Sequence, residues 1–419
     1  MLFVGKGGVG KTTLAAATAV ALSEQGKRVL IVSTDQAHSL ADAFGSAGDT
    51  GNGEIWTVTP GLDALHINTL DLVERKWRDI IASVAGLGPE HRHGVEWFGL
   101  EPEELTGVPG VEELLALGEV ARYAEGDSWD VVVVDCAPTA ETLRLVALPE
   151  SVMAYVDRVW PQNRRLQAMS EDSFAGIAAG ILDQLTQHTR QLRDLLTGDS
   201  TLVRLVVTPE RIVFEETRRT VTAMSLLGMT LDRVIANRVL VAYDRSGNVT
   251  APTSWNDDPI HRWYRDRVSE QVAVIDELTS ALGDIPLLIA GYAATEPVGV
   301  AALGDLARNV DNLDHVRAPL TSGSPGDVRR RRAADCKVEH ESGTGLDSVY
   351  LMRLTLPLVD PRSIRLGRID DDLVVGAAGI KRRVPLAPVL RRCVVAGAEI
   401  TGSELRVRFQ PNPEVWPQW

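Results

Sequence analysis

Apolar runs that end in polar side chains recur along the first three hundred positions of this 419-residue chain. Leu2-Phe3-Val4 comes first and Lys27 to Asp35 (Lys-Arg-Val-Leu-Ile-Val-Ser-Thr-Asp) second. Val131-Val132-Val133-Val134-Asp135, Val203 to Thr208, Arg233 to Asn237 and Ile285 to Ile289 follow. Runs that are continuous rather than alternating suit parallel strands covered on both faces. Helical stretches separate them, beginning with the alanine-rich segment Leu14 to Leu22. That alternation predicts an α/β domain with a mostly parallel sheet and helices on both faces, with Ile285–Ile289 as the last strand. In such sheets chemistry collects at the carboxyl ends of the strands. Asp35, Asp135, Thr208 and Asn237 all fall there.

The pattern changes in three places. Two long insertions, 70–124 and 151–200, hold more helix than a minimal crossover requires, and are the natural places for a specialised surface. In the second, Phe174, Ile177, Ile181 and Leu185 recur at helical spacing, a stripe that serves either core packing or an exposed client groove. After Leu313 the chain turns to Pro, Gly and Ser and then to Arg329–Arg332, which reads as a flexible linker over 316–345. From there Val349 to Leu356, Leu373 to Gly376 and Leu405 to Phe409 alternate as half-buried strands. The expected organisation is an α/β domain over 1–315, the linker, and a small all-β sandwich-like domain over 346–411. At this length one ordinary core does not suffice, which agrees with two domains.

Between the first strand and the first helix stands Gly5-Lys6-Gly7-Gly8-Val9-Gly10-Lys11-Thr12-Thr13. Gly5, Gly10, Lys11 and Thr12 fill the spacing G-x-x-x-x-G-K-[ST], in which glycine backbones approach a polyphosphate and a helix N-terminus adds positive potential. Lys11 is expected to reach the β- and γ-phosphates of ATP and the Thr12 hydroxyl to sit on Mg²⁺. A further acid at a strand end is needed to hold Mg²⁺ or its waters, and Asp135 is placed for it, unless it merely caps the next turn. Lys6 lies in the same arc although Lys11 already serves the chain's own nucleotide. It is therefore either aimed at the phosphates of a partner subunit or an ordinary surface lysine.

Charge and cysteine content narrow the class. A formal net charge of -14 argues against general nucleic-acid affinity, which needs clustered Lys and Arg. The Arg329–Arg332 run is read as part of a solvated linker rather than as a nucleic-acid or membrane contact. No apolar run reaches the roughly 18 to 20 residues of a membrane span, and the chain opens on a core strand with no positively charged leader. The expectation is a soluble cytoplasmic protein. Cys136, Cys336 and Cys393 form neither a C-x-x-C pair nor an even framework, so each reads as a small buried apolar residue.

Four motifs spread over about 300 residues carry a resemblance. Lys6 to Thr12 resembles the deviant phosphate loop of the ATPase class that includes the MinD, ParA, nitrogenase iron-protein and ArsA groups. Ser33 to Phe44 is similar to the first switch of the arsenite-pump ATPase and of the targeting factor for tail-anchored membrane proteins. Asp135-Cys136-Ala137-Pro138-Thr139-Ala140-Glu141-Thr142-Leu143-Arg144 resembles their second switch. Pro209-Glu210, Glu216-Thr217-Arg218 and Ile235-Ala236-Asn237 resemble later nucleotide-side motifs, and the C-terminal β domain resembles the α-crystallin (Hsp20)-like domain of some bacterial members.

The resemblance implies a Mg²⁺-dependent ATPase that pairs around two nucleotides, as a homodimer or with a related ATPase, and couples hydrolysis to a client protein or transport partner. Lys6, Lys11 and Asp35 would be catalytic, with Lys6 acting across the dimer and Asp35 orienting the attacking water. Gly5 to Thr13, Asp135 and Asn237 would bind the nucleotide, with Asn237 at the adenine. Thr12, Asp35 and Asp135 would hold Mg²⁺, partly through water. Two alternatives stand beside it: the ATPase subunit of an arsenite or anion efflux system, and a ParA- or MinD-like spatial organiser. The membrane form of the latter normally carries an amphipathic C-terminal helix, which Pro411 to Trp419 cannot make. The sequence departs from the family at Ala140 and Glu141, where the second switch has Gly and His, and the family's metalloid cysteines have no counterpart here.

Overall fold

A computed structural model describes residues 1–35, 39–45, 53–75, 111–136, 190–229, 231–240, 258–312 and 336–416, with a few isolated positions between them. In chain order the elements are β1 (Leu2–Gly5), α1 (Lys11–Glu24), β2 (Val29–Ser33), α2 (Ser39–Phe44), β3 (Trp56–Thr59), β4 (Leu62–His66), α3 (Val111–Glu125) and β5 (Val131–Asp135). Then come β6 (Val203–Val207), α4 (Arg211–Leu226), β7 (Leu231–Val239), α5 (Pro259–Leu282), β8 (Leu287–Gly291), α6 (Val300–Arg308) and β9 (Val310–Asn312). The rest is strand: β10 (Cys336–Ser342), β11 (Val349–Thr355), β12 (Arg365–Ile369), β13 (Asp372–Ala377), β14 (Ile380–Pro385), β15 (Cys393–Thr401) and β16 (Glu404–Pro411). The chain divides into two compact units. One comprises Met1–Thr201, Ala293–Asn309 and Pro319–Thr321, the other Leu202–Tyr292, Val310–Ala318 and Ser322–Trp419.

In the first unit the strands lie in the order β3-β4-β2-β5-β1. All neighbours are parallel except β3, which turns back on β4. The apolar runs explain this, since β1 and β2 are buried along their whole length and no polar face needs water. α1 is buried nearly all round through Leu14 to Val20. It stops at Gly26, whose φ of 80° lets Lys27 N bond Leu22 O and Gly26 N bond Ser23 O. α6 lies against α1, with Arg308 bonded to Glu24 at 2.9 Å. The β3–β4 hairpin was not anticipated, although Pro60-Gly61 between two short runs is a turn signal.

The second unit pairs β6, β7 and β8 in parallel, and β9 antiparallel to β8. Ile285–Ile289 is therefore not the last strand of its sheet. Val310-Asp311-Asn312 is too short and too polar to stand out in a hydropathy pattern. At the start of β6 and β7, Arg204 and Arg233 bond the buried Asp232 at 3.2 and 2.8 Å. Burial lowers the Arg204 guanidinium to about 10 against the pull of Asp232, so it stays charged near neutrality.

The C-terminal strands form an antiparallel four-stranded sheet, β10-β11-β16-β15, and a three-stranded one, β12-β13-β14. The alternation expected at 349–356, 373–376 and 405–409 is realised, with Leu351, Val375 and Val407 turned inward. Residues 336–342 were expected to be linker but pair with β11 as an edge strand. Their polar composition, Cys-Lys-Val-Glu-His-Glu-Ser, hides them, and pairing with a stronger strand supplies what their own pattern lacks. The domain's apolar core also includes Leu226 at the end of α4. Thr222 of the same helix donates to Pro357 O at 3.1 Å, and Arg382 reaches Ser225 O.

Candidate functional site

The phosphate loop leaves β1 and enters α1 through two glycines in the left-handed region, Gly8 at φ 81° and Gly10 at φ 92°. Any other residue would be strained there. Nothing lies within 4 Å of where a Cβ would stand on Gly7 or Gly8, so the loop's outer face is bare backbone. Gly10 caps α1 without any side-chain acceptor, and no acidic residue occupies the first turn. The helix therefore presents unneutralised N–H groups, the arrangement that takes an anion. Val9 is buried and pins the loop, while Lys6 is exposed. Lys11 is 6% exposed, and its ammonium donates to Lys6 O at 3.3 Å, which holds the charge over the loop.

Strand order brings the acids to this loop. β5 lies between β1 and β2, with Asp135 in register with Phe3 on one side and Ser33 on the other. Thr12 Oγ1 donates to Asp135 Oδ2 at 2.6 Å. Thr34 N donates to Asp135 O at 3.0 Å, which ties the end of β2 to β5, and Asp35 N donates to Ser33 Oγ at 3.3 Å within the end of β2. Asp35 is only partly buried, whereas Asp135 is fully buried. Burial pushes the Asp135 carboxyl up to about 6. The Thr12 hydrogen bond and the Lys11 charge oppose the shift, Asp35 adds to it, and Ser33 opposes it.

Among the described residues no hydrogen bond reaches the buried Asp135 Oδ1, although the Ser33 hydroxyl is close enough to favour the charged carboxylate. A buried carboxylate oxygen left unmatched is costly and marks a place for a cation or its water. Oxygen donors suit Mg²⁺, which binds through one or two protein groups and keeps several waters, so Thr12 and Asp135 fit it. Among the described residues no group of three His, Cys, Asp or Glu side chains is placed to hold a metal ion by itself.

Sequence reasoning missed Ser39. At the start of α2 its hydroxyl lies 3.2 Å from Thr12 Oγ1, joining the segment after Asp35 to the loop. The available signal was a hydroxyl a few residues beyond a strand-end acid. Asn237 lies near the end of β7 in the second unit and is 8% exposed. Cys136 and Cys393 are both buried, as expected, and burial pushes the Cys136 thiol up to about 12. Gln36 to His38, Ala140, Glu141, the helical stripe at Phe174 to Leu185 and Arg329–Arg332 lie outside the described residues.

A strand, a glycine loop, an uncapped helix and a strand-end acid on the adjacent strand define a P-loop nucleotide-binding α/β protein. The family model described as "Anion-transporting ATPase" matches residues 1–312, and the one described as "HSP20-like domain found in ArsA" matches 347–409. The chain belongs to the ArsA family of ATPases. It is 43% identical to protein Rv2184c of Mycobacterium tuberculosis over 427 residues, 99% of this chain and 97% of the relative. It is 28% identical over 427 residues to the protein SCO2128 of Streptomyces coelicolor, covering 100% of this chain and 99% of the other. To the ATPase GET3 of Candida glabrata it is 31% identical over 288 residues, 64% of this chain and 80% of the relative. Among the described residues no helix is long and apolar enough to cross a membrane.

Proposed function

We propose that this chain is a cytoplasmic Mg²⁺-dependent ATP hydrolase that pairs with a second ATPase chain and transmits its nucleotide state to a client protein. The observation that carries the reading is the Thr12–Asp135 pair, with one carboxylate oxygen bonded at 2.6 Å and the other buried and unmatched beside the bare loop. Bound Mg²⁺ supplies charge neutralisation of the phosphates at that pair. The loop N–H groups of Gly5 to Thr13, the α1 N-terminus and Lys11 hold and neutralise the terminal phosphates, since phosphoryl transfer asks mainly for positioning and charge. Asp35 orients the attacking water. Lys6 acts on the phosphates of the partner, and Asn237 contacts the adenine.

Steady-state ATP turnover tests these roles. Lys11→Ala is expected to lose about a hundredfold or more, and Lys6→Ala to lose activity that returns when Lys6→Ala and Lys11→Ala chains are mixed. Unchanged turnover in both variants sinks the mechanism. Loss in Lys11→Ala alone sinks the trans role of Lys6. An Asp35→Asn chain, loaded with ATP, is the form with which to capture the client. If it brings down only a second ATPase chain, a pairing role replaces client handling.

The family description favours a second reading, the energising subunit of an anion efflux system. It requires turnover stimulated by arsenite or antimonite and lost when cysteines are replaced. The buried Cys136, with its thiol held protonated, is a poor ligand for it.

A further inference from the structure

β7 pairs with β8 through Val234, Ile235 and Ala236, then loses register and regains it only at Val239. Asn237 and Arg238 occupy the break, and Arg238 has a φ of 58°. A non-glycine residue in the left-handed region is strained and persists only where its surroundings hold it. Beyond the break, Tyr292 N donates to Val239 O at 2.9 Å and the ladder closes. At and beyond the kink, the Arg238 carbonyl and the Leu240 N–H are bonded by a side chain from outside the sheet.

Gln271 meets both. It sits on the face of α5 that carries Val274, Ile275 and Leu278, is only 4% exposed, and is the sole polar residue among the buried positions of that helix. Its Oε1 accepts from Leu240 N at 2.7 Å and its Nε2 donates to Arg238 O at 3.2 Å. An amide is the group that supplies one acceptor and two donors from one plane. An apolar residue of the same size would fill the space and leave two backbone groups unpaired.

We propose that Gln271 is a positioning residue for the nucleobase: by clamping the backbone on the far side of the kink it fixes the direction in which Asn237 presents its amide. This rests on the reading of Asn237 as the base contact. An amide can match the adjacent donor and acceptor of an adenine edge, and guanine presents acceptors only at the corresponding positions. Its selectivity therefore depends on aim, and aim depends on the kink. Gln271 touches no substrate.

The full chain is assayed with ATP and GTP as wild type, Gln271→Met, Gln271→Glu, Asn237→Ala and the Gln271→Met/Asn237→Ala double variant. Expected is a rise of about tenfold in KM for ATP in Gln271→Met, larger than any fall in kcat, with the ATP-over-GTP ratio of kcat/KM falling to that of Asn237→Ala. The double variant is expected to be no less selective than Asn237→Ala alone. Gln271→Glu keeps the acceptor for Leu240 N and loses the donor to Arg238 O, so it is read if Gln271→Met does not fold. Lost ATP preference in it supports the proposal, and retained preference overturns it. If Asn237→Ala abolishes selectivity while folded Gln271→Met keeps it, Gln271 is only a structural clamp and the proposal fails. If Asn237→Ala itself leaves KM and selectivity unchanged, the base-contact reading fails and takes the proposal with it.

Discussion

The phosphate loop and the C-terminal β domain treat polar groups in opposite ways. At the loop, α1 starts without a side-chain cap, Gly7 and Gly8 expose bare backbone, and Asp135 Oδ1 is buried without a hydrogen bond among the described residues. In the β domain the charges on the four-stranded sheet are mostly paired with one another, although among the described residues Arg353 Nε is buried without a hydrogen bond. Arg353 bonds Glu339 across strands, and Arg408 bonds Glu341 at 2.8 Å and Glu399 at 3.0 Å, while Arg406 bonds Glu404 at 2.7 Å within β16. Where polarity is matched inside the chain it contributes to folding and has nothing left to offer a ligand. Where it is held unmatched by a stiff frame, the free energy is available to whatever binds.

Three experiments test that contrast. The largest effect is expected in the β domain, where Leu226→Ala removes a fully buried side chain from the shared core and is expected to cost about 2–5 kcal/mol of unfolding free energy in chemical denaturation. A cost below about 1 kcal/mol would mean that the domain's core closes without α4.

The second bears on the loop. Asp135 has a folded-state pKa of about 6, raised from 3.8, so the folded protein retains a proton that the unfolded chain has released. Stability from that proton is present below about pH 4 and lost as pH rises through 6. In nucleotide-free protein with chelator, wild type and Asp135→Asn should match near pH 4, and by pH 7 the variant should be more stable by about 3 kcal/mol. Equal denaturation midpoints across that range would show that the buried carboxylate is not a cost to the fold.

The smallest effect belongs to the surface ladder. Arg408→Ala breaks two pairs that are about one-third to one-half exposed and is expected to cost about 0.2–1 kcal/mol, less at high salt. A loss of several kcal/mol would place this ladder with buried networks such as Arg204–Asp232–Arg233.

Much of the loop side was legible because its constraints are local. Gly5, Gly10, Lys11 and Thr12 must keep fixed spacing to wrap a phosphate, and four valines before Asp135 mark a buried strand with an acid at its end. β10 and β9 were not legible, since each takes its conformation from a neighbour rather than from its own pattern. Ser39 and Gln271 escaped for a related reason. A serine at a helix start and a glutamine in a helix are unremarkable until the residues 27 and 31 to 33 positions away that they meet are known.

The α/β alternation, the phosphate loop, the acids at the strand ends and the all-β closing domain are each written in residue spacing over a short window. Long-range packing sets β5 between β1 and β2, and hence brings Asp135 to Thr12 across 123 residues. It also decided that Leu226 of α4 completes the core of the β domain, and that a left-handed Arg238 is held by Gln271. These depend on which surfaces pack together once water is excluded, and no local propensity encodes the distance between two residues far apart along the chain.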